Sequence, residues 1–307
     1  DMIIFLPYIH AISKKFQSKV SLLVKKNSKA EELCVDDPHI GEIINLDINK
    51  NNFGEHAGWS GFFKLLDEVK EKKFDKIFIF NSSVKYFLLA KLAGIKSINQ
   101  YPLFLKKNNV VLTAKKLIKK SIQENISTQP ILYLNNDKIK DAKKEYKFEN
   151  SFKHICVGFS ASGPTKRWSI ENYIKLVKIL SKNKPCKFYL AGGQNDTELF
   201  RKILSSSVSD NCISFKDLSI SETLPIIKNC DIYIGNDTGW LHIASALNKK
   251  CVALFMDSPV QAYGKYSTNI SIIVPEGETE ESTTHDTLGK ERINFEKVLN
   301  KSLALLN

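Results

Sequence analysis

Short apolar segments alternate with amphipathic helical segments along almost the whole chain, and this alternation constrains the fold more than any other feature. Strands separated by helices of about ten residues pair parallel, because a crossover needs that length, and parallel sheets carry helices on both faces. In the first half, residues 2–16 read as a helix, 20–24 as a strand, 28–35 as a helix and 42–46 as a strand. A helix over 61–72, a strand over 76–80 and a helix over 86–93 follow, and Gly94 is placed to end the last of these. In the second half the spacing predicts strands at 154–159, 187–191, 212–214, 231–235 and 251–255. Helices are predicted at 170–180, 198–204, 221–228, 240–247 and about 295–306, with Ser169 as an N-cap.

At 307 residues two domains are expected. The lysine-rich, polar stretch 123–150 is the linker candidate. A doubly wound domain ordinarily opens on a strand, whereas this sequence opens on a helix. The first strand of the first domain is therefore expected to be missing from the sequence as given.

Composition narrows the class. Hydrophobic residues make up 43% and charged residues 25%, a globular balance. No run approaches the roughly 18 apolar residues that a bilayer span requires. The opening residues lack the basic flank and the small-residue cleavage site of a secretory signal. Six scattered cysteines, with no C-x-x-C and no nearby histidine pair, argue against zinc and read as buried free thiols suited to a reducing cytoplasm. The net charge of +12 is uneven: residues 1–150 hold 26 Lys+Arg against 17 Asp+Glu, and residues 151–307 hold 19 against 16. An acidic partner is thus expected at the N-terminal half.

Three strand-to-helix turns in the second half carry chemistry. In the segment 230–247 a buried strand ends at Gly235, a polar turn follows, and a helix begins near Trp240. Ligands bind at the carboxyl ends of parallel strands, and a helix N-terminus there offers free N–H groups and partial positive charge to a diphosphate. Thr238 and Gly239 sit at that helix start. Asp237 would repel phosphate, so it reads either as an acceptor from sugar hydroxyls or simply as the N-cap. His242 reads either as a ligand contact or as a satisfied buried histidine. The segment 157–169 is a long loop of small and hydroxyl residues that can wrap a base and ribose, with Lys166 reaching phosphates as a point charge. On its own, a Lys-Arg pair is more often solvated surface and Trp168 more often packing. The third turn, Leu190-Ala191-Gly192-Gly193-Gln194, is weak alone.

Together these segments resemble the heptosyltransferase family, glycosyltransferase family nine, whose members move a heptose from an ADP-sugar to the lipopolysaccharide inner core. Thr165-Lys166-Arg167-Trp168 and Asn236-Asp237-Thr238-Gly239 followed by His242 carry the resemblance most strongly. Asp217-Leu218-Ser219 and Phe255 with Ser258-Pro259 fall at the family's spacing, while Asp1, Leu6-Pro7 and residues 74–94 match more loosely. The resemblance implies an α/β GT-B architecture, two Rossmann-like doubly wound domains facing a central cleft. Residues 1–150 would be the acceptor domain and 151–307 the nucleotide-sugar domain, with the last helix, 295–306, packing back on the first. It implies inverting transfer with neither metal nor cofactor, in the cytoplasm, at the inner face of the cytoplasmic membrane. Asp1 would be the general base, and Lys166 would neutralise the leaving diphosphate. Thr238 and Gly239 would bind phosphate, Asp237 would hold the sugar, and Ser160, Ala161, Gly193, Glu198, Leu218 and His242 would complete the donor contacts.

Lys106, Lys107, Lys115, Lys116, Lys119 and Lys120 fall within fifteen residues, interleaved with Val111, Ala114, Leu117 and Ile118. That pattern reads as a basic amphipathic helix for an anionic lipopolysaccharide acceptor or a membrane surface, or as ordinary lysine usage. Nucleic acid is not expected, because lysine far outnumbers arginine and no nucleic-acid module is present. Two other readings stand beside the transferase: a GT-B-fold sugar-nucleotide epimerase, and a non-catalytic nucleotide- or nucleic-acid-binding protein.

Overall fold

Parallel strands covered on both faces need apolar side chains pointing both ways, and the strands of this chain supply them. The computed structural model describes residues 2–49, 51, 53–103 and 109–307. The N-terminal half runs α1 (Met2–Phe16), β1 (Val20–Lys25), α2 (Ala30–Leu33), β2 (Ile40–Leu46), α3 (Gly58–Glu71), β3 (Lys76–Ile79), α4 (Val84–Leu92), β4 (Ser97–Gln100) and α5 (Val110–Ile122). The strands form two parallel pairs, β1 with β2 and β3 with β4. Alternation along β3 sorts the faces: Ile77 and Ile79 join the cluster under α3 and α4, while Phe78 and Phe80 join the one under α1 and α5.

The C-terminal half contains β5 (Lys153–Gly158), α7 (Ile170–Asn183), β6 (Cys186–Leu190), α8 (Thr197–Leu204), β7 (Cys212–Ser214), α9 (Ile220–Asn229), β8 (Ile232–Asn236), α10 (Gly239–Ala246), β9 (Lys250–Leu254), α11 (Val260–Tyr263), β10 (Ile270–Ile273) and α12 (Phe295–Leu306). Its strands build one parallel sheet in the order β10-β9-β8-β5-β6-β7. The chain winds one way from β5 and then returns to wind the other way from β8. The order therefore reverses between β5 and β8, where open α/β sheets leave a crevice at the carboxyl ends.

The expected helices and strands are present, most within two or three residues of their predicted ends. Ser169 accepts from the Asn172 N–H as the N-cap of α7, and Gly94 takes a φ of +78°. The linker differs. Residues 123–150 contain α6 (Asn136–Glu145), which lies along α9 and buries Ala142, and Asn229 donates to the Ile139 carbonyl. The Leu132 N–H bonds to the Ala246 carbonyl, and Phe148 stacks on Tyr189 with centroids 4.9 Å apart. A few large apolar anchors thus fix a mostly polar stretch to the C-terminal half, while Asp36 of the N-terminal half accepts from the Asn135 N–H and pairs with Lys138, so the stretch is a structured connection that touches both halves. The last helix is a second correction. Among the described residues α12 packs on the C-terminal half and not back on the N-terminal one: Val298, Leu299 and Leu306 lie in one core with α7 and strands β5, β8 and β9. Its apolar stripe matches the sheet face beside α7, and Lys184 of the turn after α7 reaches the Asn307 side chain.

The two halves meet at the carboxyl ends of the N-terminal strands. Glu32 of α2 accepts from the Ile220 N–H, and Asn109 at the start of α5 donates to the Gln261 carbonyl. Among the described residues, no helix is long and apolar enough to cross a membrane.

Candidate functional site

At the reversal point the backbone is shaped around one tyrosine. The Tyr233 ring crosses a glycine pair: a Cβ on Gly158 would fall 1.9 Å from its hydroxyl, and one on Gly235 2.5 Å from the Gly158 carbonyl oxygen. The Tyr233 hydroxyl donates to the Asn236 carbonyl at 3.2 Å. Asn236, the last residue of β8, is fully buried. Its Nδ2 donates to the Phe159 carbonyl at 2.8 Å and lies 3.3 Å from that of Ser160; its Oδ1 accepts from the Tyr173 hydroxyl at 2.8 Å and the Trp168 N–H at 3.3 Å. A buried primary amide with both ends satisfied is costly to disturb. Asn236 therefore ties both ends of the loop that carries Lys166 to the turn that carries Asp237.

Asp237 is not the N-cap of α10. Thr238 holds that place in an extended conformation and makes no side-chain cap bond, and its Oγ1 is buried with no hydrogen-bond partner among the described residues. The carboxylate of Asp237 instead accepts from the Ser258 hydroxyl at 2.6 Å. Burial raises the Asp237 pKa, although the Ser258 hydrogen bond and the Lys166 charge act against that rise. A Cβ on Gly239, the first residue of α10, would meet no atom within 4 Å, and the same holds at Gly163 and Gly193. Open space thus stands over an uncapped helix N-terminus, the geometry in which backbone N–H groups can reach an anion.

His242, one turn into α10, is buried. Its Nδ1 is 2.6 Å from the Tyr266 hydroxyl and its Nε2 is 3.7 Å from Asp237 Oδ1. Burial pushes its pKa down to about 3, so the ring is neutral at physiological pH. Lys166 ends a short 3-10 turn, Pro164–Lys166, and its charge bears on both Asp237 and Asp257. At Asp257 burial pushes the carboxyl up, but the Thr165 hydroxyl, the Leu288 and Asp286 N–H groups and Lys166 together hold it below the usual range. The turn is therefore fastened to the segment after β10, whose Leu288 N–H bonds Asp257 at 3.0 Å.

The structure brings together Ser160, Ala161, Lys166, Gly193, Asp237, Thr238, Gly239 and His242, which lie on or just beyond the carboxyl ends of the neighbouring strands β8, β5 and β6. Leu218 is half-buried between β7 and α9, packed on the core. Glu198 stays on the surface of α8, held by Arg201 at 2.9 Å. Trp168 is packing: it is buried between Tyr173 and Phe295. Lys115, Lys116, Lys119 and Lys120 are exposed on α5, whose other face buries Val111, Ala114, Ile118 and Ile122. Asp1, Lys106 and Lys107 lie outside the described residues. Sequence reasoning missed Tyr266 and Asp257, which fall in no motif and are joined to the site only by the fold.

The family-wide profile described as glycosyltransferase family 9 (heptosyltransferase) matches residues 82–291. Lipooligosaccharide heptosyltransferase 2 of Haemophilus influenzae is 27% identical over 202 residues, covering 62% of this chain and 56% of that protein. Lipopolysaccharide heptosyltransferase 2 of Escherichia coli is 25% identical over 222 residues, covering 62% of each. The matched region thus spans somewhat more than half the length of these relatives. Among solved structures, the ADP-heptose lipopolysaccharide heptosyltransferase II of Escherichia coli superposes with a TM-score of 0.76 at 20% identity, covering 100% of this chain and 95% of that one. That likeness shows an α/β fold of the GT-B type, although among the described residues the N-terminal strands form two separate parallel pairs. With two thirds of its length matched by the family profile, this chain belongs to glycosyltransferase family 9.

Proposed function

We propose that this protein is a heptosyltransferase that takes a heptose, or a related sugar, from an ADP-sugar and passes it to an anionic lipopolysaccharide inner-core acceptor. The observation that carries the reading is the Asn236 tie, which holds Lys166 and the uncapped start of α10 around one open space. In this reading the Lys166 ammonium and the N–H groups at Thr238 and Gly239 take the diphosphate. Asp237, oriented by Ser258, accepts from a sugar hydroxyl, and Ser160, Ala161, Gly193, Glu198 and Leu218 lie along the nucleoside.

The acceptor hydroxyl attacks the anomeric carbon from the face opposite the diphosphate. The bond to the diphosphate oxygen breaks with its electron pair remaining on the phosphate, the configuration inverts, and the hydroxyl proton passes to a carboxylate, for which Asp1 is our candidate. Charge on the departing diphosphate is met by Lys166 and the helix start, so the scheme calls for no bound metal. The lysines of α5, whose first turn adjoins the C-terminal half at Gln261, would face the acceptor's phosphates and acidic sugars. Such an acceptor places the protein peripherally at the inner face of the cytoplasmic membrane. The test is thermal stabilisation by ADP-heptose set against UDP-sugars. A rise in Tm with the adenine nucleotide alone is expected, and no stabilisation by any nucleoside-diphosphate sugar would sink the proposal.

A further inference from the structure

Three large aromatic side chains stand in solvent in and just before α3: Phe53 is 71% exposed, Trp59 81% and Phe63 54%. Trp59 and Phe63 are one turn apart and share a face of α3, and Phe53 lies in the segment leading into that helix. Single exposed apolar residues are ordinary, but a contiguous group rarely is.

His56, just before α3, is held in place. Buried His56 accepts the Asp47 N–H at 3.0 Å through Nδ1, and its Nε2 lies 3.2 Å from the Glu68 carboxylate of α3. A Cβ on Gly61 would fall 2.2 Å from the His56 backbone, so helix and preceding segment are pressed together with no slack. Trp59 and Phe63 are thus presented outward from a braced helix, while Phe62 between them turns into the core.

Charge on this face indicates the occupant. α3 and α4 cover the same side of the strands, and α4 adds exposed Leu88 and Leu92. Residues 53–96 hold eight lysines against five Asp and Glu; Lys64 is paired with Glu55 and Lys72 with Glu42, and Lys76 lies over Phe16 on the other side of the strands, which leaves Lys70 and Lys91 beside the apolar side chains. Lys70 lies two turns beyond Phe63, and Lys91 adjoins Leu92. Aromatic and leucine side chains bordered by lysine are what an interfacial helix needs on an anionic bilayer, with tryptophan favoured at the headgroup level. The lysines of α5 lie on the opposite face of the strands, over Phe78 and Phe80, so the two surfaces cannot serve one flat contact.

We propose that α3 and residues 53–57 before it dock in the headgroup region of an anionic bilayer, with Phe53, Trp59 and Phe63 inserted, leaving α5 free for the acceptor. The proposal rests on the reading of a membrane-borne acceptor. Trp59 is the one exposed tryptophan of the three, since Trp168 is buried and Trp240 half-buried, so its fluorescence reports the contact.

The experiment adds the full chain to vesicles of phosphatidylglycerol and phosphatidylethanolamine, with and without brominated acyl chains. Expected are a blue shift, quenching by the brominated lipid, and partitioning weakened about tenfold or more in Trp59→Ser/Phe63→Ser. An unchanged far-UV circular dichroism spectrum and Tm of the double variant serve as the check of its fold. Wild-type partitioning by the double variant overturns the proposal, as does loss of partitioning only on charge reversal of Lys115, Lys116, Lys119 and Lys120. Failure of the wild type to bind ADP would instead undercut the donor reading and leave the vesicle result intact.

Discussion

Acidification acts on this protein through His242. Its imidazole is buried and neutral with a pKa of about 3, whereas an unfolded histidine titrates near 6.5. Between those values the unfolded chain binds the proton and the folded one does not, so stability rises with pH across the window and is lost as pH falls through it. The slope from this one group approaches about 1.4 kcal/mol per pH unit below pH 6, which amounts to about 2 kcal/mol at pH 5. An ionised Asp237, 3.7 Å away, would draw the His242 pKa upward. Asp237's own raised pKa weakens that pull, so burial wins. His242→Gln keeps a polar group beside Tyr266 and removes the titration. Urea unfolding of both proteins at pH 7.5 and at pH 5 isolates the effect from every other titrating group. The variant is expected to lose about 2 kcal/mol less than the wild type on going to the lower pH. Equal losses would refute the reasoning and mean that the Asp237 charge offsets the burial of the ring.

Three further outcomes follow from the same geometry. Asn236→Ala leaves the buried Trp168 N–H and the Phe159 carbonyl without the amide and the Tyr173 hydroxyl with only its 3.3 Å bond to the Gly158 carbonyl, and should cost roughly 3 kcal/mol in urea unfolding; it should also weaken ADP binding by releasing the Lys166 loop. Gly158→Ala sets a methyl against the Tyr233 hydroxyl and should destabilise by about 2 kcal/mol, with a lower Tm in calorimetry. Asp1→Asn, in a chain competent for transfer, should keep donor affinity and lose turnover; normal turnover would remove Asp1 as the base.

Legibility in the sequence followed how local each signal was. α7 was readable because its apolar stripe and its Ser169 cap lie within one helix, and β8 to α10 because a buried strand, a polar turn and a glycine stand in succession. α6 was not readable: only Ala142 of its ten residues is buried, and its packing depends on α9, far along the chain. The partners of α12 were misassigned because an amphipathic stripe says that a face is buried but not against what. Within the site, Lys166 and Asp237 were found through residues adjacent to them. What joins them, the amide of Asn236, was visible as a letter but not as a tie, and Tyr266 comes to His242 only through the turn after α11. The N-cap alternative for Asp237 fell on geometry alone, since its carboxylate turns away to Ser258.

The central claim is that Lys166 and the Asp237-Thr238-Gly239 turn form one diphosphate site. Calorimetric titration of ADP into the wild type and into Lys166→Ala tests it most directly. A charge-assisted contact to phosphate contributes about 1.5–3 kcal/mol, so the variant should bind roughly ten- to a hundredfold more weakly while unfolding at nearly the same Tm. Equal affinity in the two proteins would contradict the claim and place any nucleotide elsewhere.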